Sequence, residues 1–255
     1  MNLGLDRKRI FVSASSGGIG LAIARSFLSE GAMVVINGRS ADKLEKRVQE
    51  LQLSFGFSNV YGVVGDMSDT EAIKEAVDFV QRELKGIDVV VCNLGSGKPE
   101  NSNKWAREEW QRLLDINLLS SVSLMDAFLP CFSKAGGSVV LLSSLAGVNR
   151  IGAPPAYAAA KSAINSMVLY AAKNLADRNI RINAVAPGNV YFEGGRWEEL
   201  LQLDNQGTKD YIDLEVPMRR FATPEEVADI VVFVSSLRAS FVTGEVISVD
   251  GGQKR

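Results

Sequence analysis

Apolar residues fall into two rhythms along this chain. Short continuous runs occur at Ile10-Phe11-Val12, Met33-Val34-Val35-Ile36, Val60-Tyr61-Gly62-Val63-Val64, Val89-Val90-Val91-Cys92, Ser138–Leu142, Ile182–Ala186 and Val246–Val249. Such runs predict strands buried on both faces, as in a parallel sheet. Between them the spacing turns helical: Leu44, Val48 and Leu51; Ile73, Ala76, Val77 and Val80; then Trp110, Leu113 and Leu114. Tyr157–Leu175 is rich in Ala and free of Gly and Pro, a strong helix former. Thr223-Pro224-Glu225-Glu226 reads as a helix start, with a capping Thr, Pro at the first position and acids in the first turn. Alternation repeated this often predicts one α/β domain over residues 1–255, a doubly wound parallel seven-stranded sheet with helices on both faces. The stretch 188–215, with Gly194-Gly195 and Trp197, interrupts the alternation.

Composition narrows the function. The chain has 255 residues, 46% of them apolar, which suffices for a large core. With 28 Lys+Arg against 30 Asp+Glu the net charge is -2, which argues against a polybasic nucleic-acid binder. There is no histidine. That excludes a Ser-His-Asp triad, a Cys-His dyad and a His-ligated metal, and no metal site is expected. Acid–base chemistry must come from Asp, Glu, Lys, Tyr or Cys. Two cysteines, Cys92 and Cys131, make no disulfide framework and point to a reducing compartment as buried fillers. Met1–Arg9 carries no apolar segment of the signal-peptide kind, and no window of ~18 consecutive apolar residues occurs. A cytoplasmic protein without a membrane partner is expected.

The first strand runs into Ser13-Ala14-Ser15-Ser16-Gly17-Gly18-Ile19-Gly20, and a helix follows. Small residues at a strand-to-helix turn admit a ligand close to the backbone. The helix N-terminus, with about +0.5 charge, favours a pyrophosphate. The reading is a dinucleotide site on a Rossmann-like sheet. The second strand ends in Ile36-Asn37-Gly38-Arg39-Ser40, with no acid before Asp42 to bind a ribose 2′-hydroxyl. Arg39 can instead fork onto a 2′-phosphate, so NADP is expected over NAD, with NAD possible. Tyr157 and Lys161 stand four apart on one helix face. A phenol needs a shift of about 3 units, about 4 kcal/mol, to work near pH 7. One cation at about 4 Å and an effective dielectric of about 20 supplies that amount. Ser144 lies thirteen residues earlier, just past a strand, where sheet edges bind ligands.

These motifs resemble those of the short-chain dehydrogenase/reductase family. Its glycine-rich loop matches at Ser13–Gly20, with Ala14 where the family has its first glycine. Cys92-Asn93-Leu94-Gly95 is similar to its N-N-A-G segment. Ser144, Tyr157, Lys161 and Asn117 match its catalytic set, and Pro187-Gly188, Val242-Thr243-Gly244 and Val249-Asp250-Gly251-Gly252 its later motifs. The resemblance runs from about Arg9 to Gly252. It implies that Tyr157 exchanges a proton with the substrate oxygen and that Lys161 lowers the Tyr157 pKa and binds the nicotinamide ribose. Ser144 would polarise the substrate oxygen, and Asn117 would anchor a water leading to Lys161. It places the cofactor on Ser13, Ala14, Ser16, Gly17, Gly18, Ile19, Gly20, Arg39, Ser40, Asp66, Met67, Asn93, Leu94, Gly95, Tyr157, Lys161, Pro187, Gly188 and Val190. Phe192 stands where the family often has Thr.

The implied activity is NADP-dependent reduction of a carbonyl or oxidation of an alcohol. A 3-oxoacyl thioester reductase is the first assignment. A sugar, nucleotide-sugar or polyol dehydrogenase, an epimerase that retains its cofactor, and a catalytically silent NADP-binding regulatory protein are the alternatives. Residues 188–215 would form the substrate lid, where Phe192, Arg196, Trp197 and Tyr211 either line a pocket or pack the helices. Lys98, Arg196, Arg219 and Arg220 suit an anionic substrate. The helices near Arg107–Cys131 and Ala156–Arg178 would pair subunits into a homotetramer, or a dimer.

Overall fold

A computed structural model describes residues 2–253. All seven apolar runs become strands: β1 (Arg9–Val12), β2 (Met33–Gly38), β3 (Val60–Val64), β4 (Val89–Cys92), β5 (Gly137–Leu142), β6 (Ile180–Pro187) and β7 (Val246–Val249). Every pairing is parallel, and the order is β3-β2-β1-β4-β5-β6-β7. The order reverses between β1 and β4. There the connecting segments part to opposite faces and open a crevice at the carboxyl ends of the strands.

The helices are α1 (Gly18–Ser29), α2 (Ala41–Phe55), α3 (Thr70–Leu84), α4 (Arg107–Leu114), α5 (Ser120–Phe128), α6 (Pro155–Leu175), α7 (Arg196–Leu203), α8 (Asn205–Glu215) and α9 (Pro224–Ser235). Strand alternation assigns them to two layers. Ile10 and Val12 of β1 join the core with α1, α2 and α9. Phe11, between them, points the other way and joins α3, α5 and α6, its ring 4.8 Å from that of Phe128. Both cores are fully enclosed, and each large side chain buried there contributes about 1.5–3 kcal/mol. The α9 start carries the expected capping box: Thr223 accepts from the Glu226 N–H while the Glu226 carboxylate accepts from the Thr223 N–H.

One departure from the expected elements bears on the site. The helix beginning at Arg107 is interrupted by a π turn at Asp115–Leu119 before it continues as α5. Asn117 Nδ2 donates to the Leu113 carbonyl at 3.0 Å, which in an α-helix would accept the Asn117 N–H. The side chain displaces the ladder bond and the helix widens by a residue. By length and composition the segment Arg107–Cys131 could cross a membrane, at a mean hydropathy of 1.3. Here Leu113, Leu124 and Phe128 lie buried within the fold, while Leu119 is half exposed. The irregular stretch after β6 folds into α7 and α8, held by the stacked rings of Trp197 and Tyr211, whose centroids are 5.5 Å apart.

Candidate active site

The loop after β1 takes its shape from buried polar groups. Asn37, at the end of β2, accepts the Ala14 N–H at 2.9 Å and donates to the Val63 and Gly65 carbonyls. Asn93, after β4, donates to the carbonyls of Ser13 and Ala14, both at 3.1 Å, while its own N–H meets the Ser13 hydroxyl at 2.8 Å. Ser13 is fully buried and Asn93 is held by the loop, so both shape the cradle from behind. Met67 is likewise a core residue, and Leu94 packs on the same core. Ala14 has φ 48, the left-handed region that an L side chain adopts only with strain. The Asn37 and Asn93 bonds hold it there. Gly20 allows α1 to sit against β1: a Cβ there would lie 2.5 Å from Asn93 Nδ2 and 2.6 Å from the Ala14 carbonyl.

The open side of the cradle has the features a dinucleotide needs. No side chain caps α1 and its first turn carries no acid, so its N–H groups point outward without a built-in anion. Gly17 faces open space except for Lys43, whose ammonium would be 3.7 Å from a Cβ built there. Sequence reasoning missed Lys43, because on α2 it reads as a solvated helix residue. Ser16 lies against Gly38, and Arg39 follows on the surface. Arg39 is 3.6 Å from Asp66, and both are substantially exposed, so the pair is weak. Burial pushes the Asp66 carboxyl up, but hydrogen bonds from Ser68 and the nearby Arg39 outweigh it and hold the group below its ordinary value. Ser40 caps α2 through Lys43.

Across the crevice, β5 ends in Ser143 and Ser144, and α6 brings Tyr157 and Lys161 over them. Lys161 is buried; its ammonium donates to the Leu142 carbonyl at 2.8 Å and lies 5.8 Å from the Tyr157 ring centroid. Burial lowers the Lys161 pKa to about 8. Burial also raises the phenol of Tyr157 above its ordinary value, and the hydrogen bond with Ser144 only partly offsets this. Lys161 is expected to lower the Tyr157 pKa; the burial of the phenol acts against that. A cation on this side of the ring favours the phenolate, 5.8 Å being its distance to the ring centroid. Burial works in the opposite direction. Ser144 accepts the Ala146 N–H at 3.2 Å, which fixes its hydroxyl at the start of a short turn. The Ser143 hydroxyl donates to Asn165 Oδ1 at 2.6 Å. Asn165 then donates to the Gly147 carbonyl. This brace of α6 was not legible from spacing.

Asn117 reaches the same place from the π turn. Its side chain exchanges two hydrogen bonds with the Ser96 backbone, both at 2.9 Å. Gly95 is what lets these groups converge: a Cβ there would lie 2.8 Å from Asn117 Oδ1 and 3.0 Å from Lys161 Nζ. Both Asn117 amide hydrogens are thus taken by the Ser96 and Leu113 carbonyls, while its Oδ1 accepts the Ser96 N–H. Gly97, two residues on, rests against the Tyr157 ring.

Behind the crevice, Val190 pairs with Ala222 in a parallel bridge that uses the Asn189 carbonyl and the Tyr191 N–H. Val190's own peptide groups face away from that bridge, as a carboxamide contact requires. Gly188 passes 3.0 Å from Asp250, measured from a built Cβ. Phe192, in place of the family's Thr, lays its ring over Gly18, where a Cβ would come within 2.8 Å of it. A cavity of about 200 Å³ joins these parts, with Ile19, Ser144, Tyr157, Lys161, Arg196 and Trp197 on its walls. Tyr211 stands behind Trp197 and packs α8 against α7. Cys92 and Cys131 are buried free thiols, and burial pushes Cys92 up to about 12, as fits fillers. The residues present fit a nicotinamide dinucleotide: an uncapped helix N-terminus over a glycine cradle, a cation at the end of β2, and a Tyr–Lys pair at the inner end.

A parallel sheet in this order, with that cradle and that pair at its switch point, defines a nicotinamide-dependent oxidoreductase acting on a CH–OH/carbonyl couple. The chain belongs to the short-chain dehydrogenase/reductase family. Residues 13–254 match the family described as enoyl-(acyl carrier protein) reductase. It is 34% identical to an uncharacterized oxidoreductase, YvrD, of Bacillus subtilis, over 99% of this chain and 98% of that one. It is 33% identical to 3-oxoacyl-[acyl-carrier-protein] reductase FabG of Thermotoga maritima, over 97% and 98%. Its fold matches that of L-sorbose reductase from Gluconobacter frateurii, solved with NADPH and L-sorbose, at a TM-score of 0.91 and 31% identity over 99% and 98%. A 7α-hydroxysteroid dehydrogenase solved with NADH matches at 0.89 and 28%, over 98% and 96%.

Proposed function

We propose that this protein is an NADP-dependent carbonyl reductase, of the 3-oxoacyl thioester type, with Tyr157 as the proton donor. The observation that carries the reading is the convergence of Ser144, Tyr157 and Lys161 on one cavity beside the phosphate cradle. Bound nicotinamide supplies the hydride that the carbonyl carbon accepts. Ser144 hydrogen-bonds the substrate oxygen and turns it toward the phenol. Tyr157 donates its proton to that oxygen as negative charge develops there. Lys161, fixed by the Leu142 carbonyl, stabilises the resulting phenolate and would help hold the nicotinamide ribose. A phenol carries its proton at neutral pH, as a proton donor must; burial makes this one the weaker acid, so the charge on Lys161 is needed to favour the phenolate once the proton leaves. Asn117 acts by positioning Ser96 and the segment around Gly95.

Arg39 is the basis of the NADP preference. Its pairing with Asp66 is exposed and exchangeable, and Gly38 puts no acid against a 2′-phosphate. The lid formed by α7 and α8 closes the substrate side. Leu119, Leu169 and Tyr170 are exposed on the helices containing α5 and α6, which supports a homotetramer joined across that face. Two buried, unpaired thiols support a reducing, cytoplasmic setting.

A second reading, a sugar or polyol reductase, is favoured by the fold neighbour bound to NADPH and L-sorbose. Steady-state assays with NADPH and NADH against acetoacetyl and crotonyl thioesters, keto-sugars and simple ketones test both. The proposal expects acetoacetyl thioester reduction with kcat/KM at least tenfold higher for NADPH than for NADH. Reduction of keto-sugars alone selects the second reading. Reduction of the crotonyl double bond alone, or a preference for NADH, contradicts the proposal.

A further inference from the structure

At the mouth of the cavity two cations share one carboxylate. Lys98 Nζ lies 2.9 Å from Glu199 Oε1, and an Arg196 guanidinium nitrogen lies 3.1 Å from Glu199 Oε2. The three come from opposite walls. Lys98 follows Gly97, which rests on the Tyr157 ring, whereas Arg196 and Glu199 belong to α7, and Arg196 also lines the cavity that holds Tyr157. The neighbouring acid, Glu198, is turned elsewhere, to the Tyr191 hydroxyl and the Gly194 N–H. The cluster therefore carries one positive charge in excess.

Lys98, Arg196 and Glu199 are all well exposed. An exposed ion pair shifts an equilibrium by about fivefold at most, too little to lock a lid but weak enough to be exchanged. An anion placed between the two cations would meet both charges at once. Glu199 shows the geometry of that anion: a planar carboxylate, one oxygen to an ammonium and the other to a guanidinium.

Resting on the carbonyl-reductase reading above, we propose that Lys98 and Arg196 form a seat for a carboxylate carried by the substrate away from its reacting carbonyl, with Glu199 as the exchangeable counter-ion. The natural substrate then carries a carboxylate besides its reacting carbonyl, held at the cavity mouth while the carbonyl reaches Ser144 and Tyr157.

Matched probes test this. 4-Oxopentanoate, 6-oxoheptanoate and their methyl esters are assayed with NADPH, and the ratio of kcat/KM for acid over ester is read for each chain length. The expected result is a ratio of tenfold or more at one length, carried by KM and reduced by added salt. The ratio falls toward one in Lys98→Gln and in Arg196→Gln, and rises in Glu199→Gln, each variant being checked for an unchanged circular dichroism spectrum. A ratio of one or less in the unmodified enzyme, or a ratio that the three variants do not move, overturns the seat while leaving the carbonyl reading intact. No turnover of either probe type, nor of the thioesters, sugars and ketones above, overturns the carbonyl reading itself.

Discussion

Ala14 shows what a single residue reveals at this site. It holds φ 48 where the family has glycine. The left-handed region strains an L side chain by about 1–2 kcal/mol, and the added freedom of unfolded glycine offsets about 0.4–1 of that. Ala14→Gly is expected to stabilise the protein by roughly 0.5–1 kcal/mol, raising Tm by about 1–4 °C by differential scanning calorimetry. A lower Tm would show that the loop is not strained. Gly95→Ala moves the other way, because its Cβ would strike Asn117 Oδ1 and Lys161 Nζ. It should lower kcat by about 10- to 100-fold through misplaced catalytic groups, with the circular dichroism spectrum unchanged; full activity would mean that these groups need not meet there. Lys161 sets a pH limit. Its ammonium, the charged form, is lost as pH rises through about 8 rather than 10.5. Reductive kcat should fall above about pH 8, and a profile flat to pH 10 would contradict a role for that charge. Tyr157, Lys161, Gly95 and Arg39 were legible in sequence because motif spacing carried them. Lys43, Asn165 and Asn37 were not, since each reaches the site only through long-range packing.

Among the elements, the strands were readable almost to their ends, because burial on both faces leaves a continuous apolar run. The α9 capping box was equally legible, since its signal lies within four residues. Thr223→Ala is expected to destabilise by about 1 kcal/mol, a Tm drop of about 2–4 °C, without a change in kcat/KM. A loss of activity at full stability would tie α9 to the site in a way its packing does not suggest. The π turn at Asp115–Leu119 was invisible, because helix periodicity continues through it and its cause is one side-chain amide taking the Leu113 carbonyl. Residues 188–215 were marked as an interruption and expected to form a substrate lid; that Trp197 lines the cavity while Tyr211 packs behind it depends on how α7 and α8 stack.

For the molecule as a whole, the doubly wound parallel sheet could be expected from alternation, whereas its strand order came from the structure; that order places the crevice, and the Tyr157–Lys161 pair with it, at the carboxyl edge of the sheet. The magnitude and direction of the Tyr157 shift could not be read from spacing, because the surroundings that bury the phenol come from β5, α6 and the segment around Gly97 together. If the proposed homotetramer joins across this face, Tyr170→Glu, on the exposed face of α6, should lower the mass measured by light scattering relative to the unmodified protein; an unchanged mass would remove that face from assembly.

The central claim is that the Tyr157 phenol delivers the proton in an NADPH-dependent reduction. NADPH fluorescence titration and turnover, measured together on Tyr157→Phe, test it most directly. Dissociation constants within about threefold of the unmodified protein, with kcat reduced by about 10²- to 10⁴-fold, are predicted. Turnover within tenfold of the unmodified protein would contradict the assignment.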